Sequence, residues 1–150
     1  MSQQSFRIFG VNHVGLAPKD PVKARWFFCD VLGIKDLGSE LVASQQTNTI
    51  MLDPVDRSSG KAAPRYERLE ILEPQAGQGP IAKFLDKKGY GIHHIALAVS
   101  DVAAAIAHCK QHGVKMVDEA PRPGAHHTLI AFVHPESTGG LLVELVQETR

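Results

Sequence analysis

The chain repeats itself, and the repeat limits its fold more than any other feature. Gly10-Val11-Asn12-His13-Val14-Gly15-Leu16-Ala17 lies over Gly91-Ile92-His93-His94-Ile95-Ala96-Leu97-Ala98 at an offset of 81 residues. Both segments run on to an aspartate, Asp20 and Asp101, and then to Cys29 and Cys109 and to Gly33 and Gly113. Further on, Ile50-Met51-Leu52-Asp53-Pro54 lies over Ala131-Phe132-Val133-His134-Pro135, and Leu69-Glu70-Ile71-Leu72 over Val143-Glu144-Leu145-Val146. Equivalent segments in the same order twice indicate a duplicated unit, and neither half alone would bury much core.

Each half reads as a strand, a helix and three strands. Residues 8–17 alternate as a strand does. Asp20 is a good N-cap, and Pro21 suits the first helical turn. The helix is expected to run to about Val31, with Gly33 as its stop. Strands follow near 35–43, 47–53 and 66–73, with a Gly/Ser/Lys-rich loop over Pro54–Pro64. The second half has a strand at 92–99, a helix over about 101–112 ended by Gly113, and strands near 114–118, 128–134 and 141–147. Between the halves, Pro80–Lys88 is apolar-periodic and reads as a short linker helix. The expected fold is α+β, two tandem βαβββ modules forming one curved mixed sheet around a metal-binding cleft. Module one covers about 8–75, the linker helix about 78–89 and module two about 91–148, all within a single domain, 1–150.

Composition closes several other routes. At 150 residues, 43% hydrophobic and 21% charged, the chain suits one globular domain. Sixteen basic residues balance sixteen acidic ones, which argues against a broad nucleic-acid or membrane-surface partner. No apolar run approaches the roughly 18–20 residues of a membrane span, and the N-terminus lacks a secretory pattern. With only Cys29 and Cys109, no disulfide framework is expected, which fits a reducing, cytoplasmic setting.

The eight histidines are the unusual count, and two of them are repeat-related. Alternation puts His13 on one face with Val11, Gly15 and Ala17, and His94 with Ile92, Ala96 and Ala98. The opposite face, with Val14 and Leu16 or Ile95, Leu97 and Val99, is the one a helix can cover. Small residues beside each histidine leave room for a ligand. Glu70 and Glu144 are the repeat-related acids, each inside an apolar strand, where a carboxylate is costly unless paired or bound to a metal. His13, Glu70, His94 and Glu144 therefore form a candidate ligand set for a divalent ion such as zinc, cobalt, nickel, manganese or iron. His93 reads as structural, His108 and His112 as solvent-facing, and His134 as local. His126 and His127 fit the mouth of a cleft and an ordinary polar loop equally well. Cys29 and Cys109 read as small core residues.

These residues resemble the vicinal oxygen chelate superfamily and, more narrowly, the methylmalonyl-CoA epimerase family. The matching segments are GVNHVGLAPKD, LEILEP, GPIAKFLDKKG, GIHHIALAVSD, GVKMVDEAPRPGAH and FVHPESTGGLLVELVQ. The resemblance implies His13, Glu70, His94 and Glu144 as ligands of one divalent metal, among cobalt, zinc, manganese and nickel. It implies a metal-dependent isomerase that interconverts the epimers of methylmalonyl-CoA by α-proton transfer through an enolate. Glu144 is the candidate for one acid/base. In one form of the family a glutamate on the third strand is the other, and Thr49 stands at that position here. An acyl-CoA substrate and a homodimer are likewise expected. Lys61, Arg65, Lys83, Lys87, Lys88 and Arg122 are candidates for the CoA phosphates, with ordinary solvated residues as the competing reading. Two other functions compete. One is another metal enzyme of the superfamily, a glyoxalase-type isomerase similar to lactoylglutathione lyase or a ring-cleaving dioxygenase. The other is a binding module without turnover.

Overall fold

Strand β1 (Ile8–Ala17) is followed by a helix that begins where the sequence places it. The computed structural model describes residues 3–55 and 66–149. Asp20 accepts the Lys23 N–H at 3.0 Å, and Pro21 opens helix α1 (Pro21–Arg25). From Trp26 to Val31 the helix widens into π-type turns rather than continuing as α. Gly33 then turns the chain at a φ of +72°, a conformation glycine adopts without steric cost.

The chain divides into two compact units. In the unit His13–His93, the strand order is β2 (Lys35–Val42), β3 (Thr47–Asp53), β4 (Arg68–Pro74), β1. β4 runs parallel to β1, and β2 and β3 are antiparallel to their neighbours. Ile50, Leu52 and Ile71 pack beneath Ala24, Phe28 and Cys29 of the helical segment. Leu52 and Ile71 are completely buried, and each is worth roughly 1.5–3 kcal/mol of hydrophobic transfer. The linker helix α2 (Pro80–Lys88) forms as expected, and its Ile81, Phe84 and Leu85 pack on Ala17 and Leu72.

The other unit runs from His94 onward and includes the N-terminal segment through Asn12. Its strands are ordered β5 (Gly91–Val99), β8 (Val143–Glu148), β7 (Thr128–Val133), β6 (Arg122–Pro123). Helix α3 (Val102–Gln111) is capped by Asp101, which accepts the Ala104 N–H at 2.9 Å. Val102, Ala105 and Ile106 pack with Val99, Ala131, Val133 and Leu145. Phe6 completes this core, and Arg7 and Ser100 exchange two hydrogen bonds at 2.8 and 2.9 Å.

One expected strand is nearly absent. Residues 114–118 make only an isolated bridge, Met116 to Val133. Val117 and Asp118 both donate to the Phe132 carbonyl, which breaks the ladder, and the Asp118 carboxylate accepts the Phe132 N–H at 2.8 Å. The outer-strand position falls instead to the two residues of β6, where Pro123 has no N–H to extend the pairing. Most of the expected Pro54–Pro64 loop lies outside the described residues, as do Lys61 and Arg65.

Candidate metal centre

Both units build the same local object. In the first, β1 pairs with β4 so that Gly15 lies opposite Glu70, two residues after His13. In the second, β5 pairs with β8 so that Ala96 lies opposite Glu144, two residues after His94. Both pairings are parallel, and alternation keeps each histidine on the same face as its glutamate. The outcome is two matching contacts. His13 Nε2 lies 2.7 Å from Glu70 Oε2, and His94 Nε2 lies 2.9 Å from Glu144 Oε2. All four residues are buried at 5–6% exposure, although all are polar. The sheet sets this burial. Glu70 sits between Leu69 and Ile71, and Glu144 between Val143 and Leu145, which project from the opposite face, and both strands are buried around the carboxylates.

The surroundings differ between the two pairs. The His94 ring meets the Phe132 ring edge-on at 5.6 Å, and the Arg122 guanidinium sits over the same phenyl ring at 5.6 Å from its centroid. Arg122 donates to Asp118 at 2.8 Å. Beside Glu70, β3 places Met51 directly across the ladder, with Thr49 two residues away on the same face. Thr49 is 3% exposed, and its hydroxyl donates to the Glu40 carbonyl at 3.1 Å.

The small residues next to the histidines do not leave as open a face as expected. Ala17 is covered by Leu72 and Ile81, and Ala96 by Ile130, Phe132 and Val146. The remaining histidines have local roles. His93 packs edge-on against Phe84 at 4.8 Å. His134 Nδ1 accepts the Glu136 N–H at 3.0 Å and caps a 3₁₀ turn. His108 is only partly exposed and lies beside His112, their rings tilted with centroids 4.4 Å apart, and its ring also meets Phe6 edge-on. His126 and His127 both have φ near +57°, so the turn before β7 is backbone-strained. Lys83, Lys87 and Lys88 stand on α2. Burial pushes the thiols of Cys29 and Cys109 up, and Asp36 adds to the effect at Cys29.

The donor set fits a divalent ion. Imidazole and carboxylate are the ligands such ions take, and His13, His94 and Glu144 are buried side chains of a type that could hold one. A lone buried carboxylate would be costly, and here each has an imidazole nitrogen at contact distance.

A duplicated βαβββ unit with such pairs defines the class, and comparison with known proteins agrees. Residues 12–132 match the family model described as Glyoxalase/Bleomycin resistance protein/Dioxygenase superfamily, and the chain belongs to that family. Within it the chain is similar to epimerases. It is 40% identical over 139 residues to the ethylmalonyl-CoA/methylmalonyl-CoA epimerase of Cereibacter sphaeroides, covering 91% of this chain and 96% of that one. It is 31% identical to the mitochondrial methylmalonyl-CoA epimerase of Bos taurus, covering 91% and 73%. Among solved structures, a variant of Streptomyces coelicolor methylmalonyl-CoA epimerase in complex with 2-nitronate-propionyl-CoA matches with a TM-score of 0.85 at 30% identity, covering 96% and 100%.

Proposed function

We propose that this chain is a metal-dependent epimerase of methylmalonyl-CoA. The observation that carries the reading is the duplicated buried His–Glu pair in a chain 40% identical to an epimerase of short malonyl thioesters. His13, Glu70, His94 and Glu144 would together hold one divalent ion, of cobalt, zinc, manganese or nickel. When bound, the ion supplies Lewis-acid stabilisation to the thioester and carboxylate oxygens as negative charge develops on them.

The chemical problem is a weakly acidic α-proton. Inversion at that carbon needs one group to remove the proton from one face of the planar enolate and another to deliver a proton to the opposite face. Glu144 is proposed as one of these two groups. Thr49 is not the other, because a hydroxyl is no base at neutral pH and its proton already goes to the Glu40 carbonyl. Arg122, with its guanidinium aligned by Asp118, is suited to an anionic part of the substrate. A homodimer in the cytoplasm completes the proposal. Ile8, Phe9 and Val11, each 40% exposed or more, supply apolar surface for a second copy.

The test uses metal-loaded protein and a single epimer of methylmalonyl-CoA in deuterated water. Appearance of the second epimer with deuterium at the α-carbon is the expected result. No deuterium and no second epimer would reject the reading.

A further inference from the structure

Helix α3 and its C-cap carry two histidines that the buried pairs do not use. His108 and His112 are four residues apart, about one turn, so their side chains leave the same face of the helix. Their ring centroids are 4.4 Å apart and the ring planes are tilted by 42°. The duplication does not account for them, because the repeat-related positions are Phe28 and Leu32. Nor do they belong to the His94–Glu144 pair. The apolar side of α3 packs on Ala131, Val133 and Leu145, which alternate along their strands with Phe132 and Glu144. The sheet therefore separates α3 from that pair.

The two rings are held as metal-binding imidazoles are held. Nδ1 of His112 stands 2.9 Å from the His108 carbonyl oxygen. A carbonyl only accepts, so Nδ1 carries the proton, and in the neutral ring Nε2 carries the lone pair. A ring N–H donating to a backbone carbonyl is the arrangement that orients histidine ligands. The His108 ring is half-buried and meets Phe6 edge-on at 5.6 Å, which limits how it turns. An ion bonded at about 2.0–2.1 Å to two imidazoles at a right angle sets their centroids about 4.5 Å apart. The rings already stand at that separation. The charge around them also favours a cation. The C-terminal end of a helix carries partial negative charge, and His112 is the C-cap. Lys110 is drawn off to the Glu119 carboxylate, and Lys115 pairs with Glu136 at 3.1 Å.

We propose that His108 and His112 form a second metal site, a solvent-open chelate of two imidazoles for a late first-row divalent ion, with water completing the coordination. Imidazole suits copper, nickel and zinc, and copper(II) binds such donors most tightly. Two protein donors hold an ion more weakly than four, so this site fills with added metal and empties on dialysis, while the buried residues keep theirs. No step of the proposed epimerisation uses it, so it stands or falls separately from that reading.

The test titrates dialysed protein with copper(II) chloride in a buffer that does not bind copper, following heat and the electron paramagnetic resonance spectrum. Wild type is compared with His112→Asn and with His108→Gln, either of which suffices alone. Asparagine is accepted at a helix end, so His112→Asn should fold. Wild type should take up one copper ion per chain more than either variant, and the difference spectrum should show splitting from two imidazole nitrogens. Each substitution should weaken that site by about 10²-fold. Copper bound elsewhere, at the buried residues included, is common to all and cancels. His112→Asn with Ala107→His keeps the number of histidines but turns the second imidazole about 100° from His108 around the helix, and its binding should stay weak. Equal uptake by wild type and both single variants would overturn the proposal. So would full uptake by the double variant, which would mark adventitious binding to surface histidines of any spacing.

Discussion

Removing one member of a buried imidazole–carboxylate pair takes a close contact from the other where little water reaches. At 5–6% exposure, this makes His94→Ala destabilising in metal-free protein by about 1–3 kcal/mol. The double change His94→Leu with Glu144→Leu should recover part of that loss, because it replaces both members of the buried pair with apolar side chains. Urea unfolding of the metal-free variants measures both, and a double variant less stable than the single one would contradict the prediction. The thiols give a pH test. Burial raises both above their ordinary value of 9.0, so folded and unfolded chains hold these protons equally well below that value. As pH rises through it, the unfolded chain releases them first and the folded state loses stability. Alkylation of Cys29 and Cys109 at pH 9 should accordingly be slower in native than in urea-unfolded protein; equal rates would contradict this.

Single elements carry their own predictions, and they also show what a sequence can and cannot reveal. The caps were readable because their chemistry is local. Asp101→Ala removes the acceptor for the Ala104 N–H and should cost about 1 kcal/mol, checked by thermal unfolding. Phe132 is 9% exposed and packs against both the His94 ring and the Arg122 guanidinium, so Phe132→Ala should cost about 3–5 kcal/mol in denaturant titration. The choice of His13, Glu70, His94 and Glu144 follows from the repeat plus a period-two pattern, both visible in residue order, whereas their contacts in pairs depend on the parallel registers of β1 with β4 and β5 with β8. The π-type widening at Trp26 was not visible, since Trp26–Val31 is a run of weak helix formers and weak propensity does not distinguish π from α turns. Nor was the failed strand at Met116, because it depends on Asp118 reaching a backbone N–H on a strand far along the chain.

For the whole molecule, the duplicated architecture supplies the same pair twice, and the proposed chemistry joins the two pairs through one shared ion. An ion that binds only the folded chain stabilises it, by about 2.7 kcal/mol at one hundred times its dissociation constant. Chelation should therefore lower the melting temperature, and re-addition of cobalt or zinc should restore it. Metal content measured by mass spectrometry on wild type, His13→Ala and His94→Ala is the most direct test. Wild type should hold one ion per chain, and each single variant should lose it, although the changes lie in different units. Two ions in wild type, or a single variant that keeps its full complement, would show that the pairs do not serve a common centre.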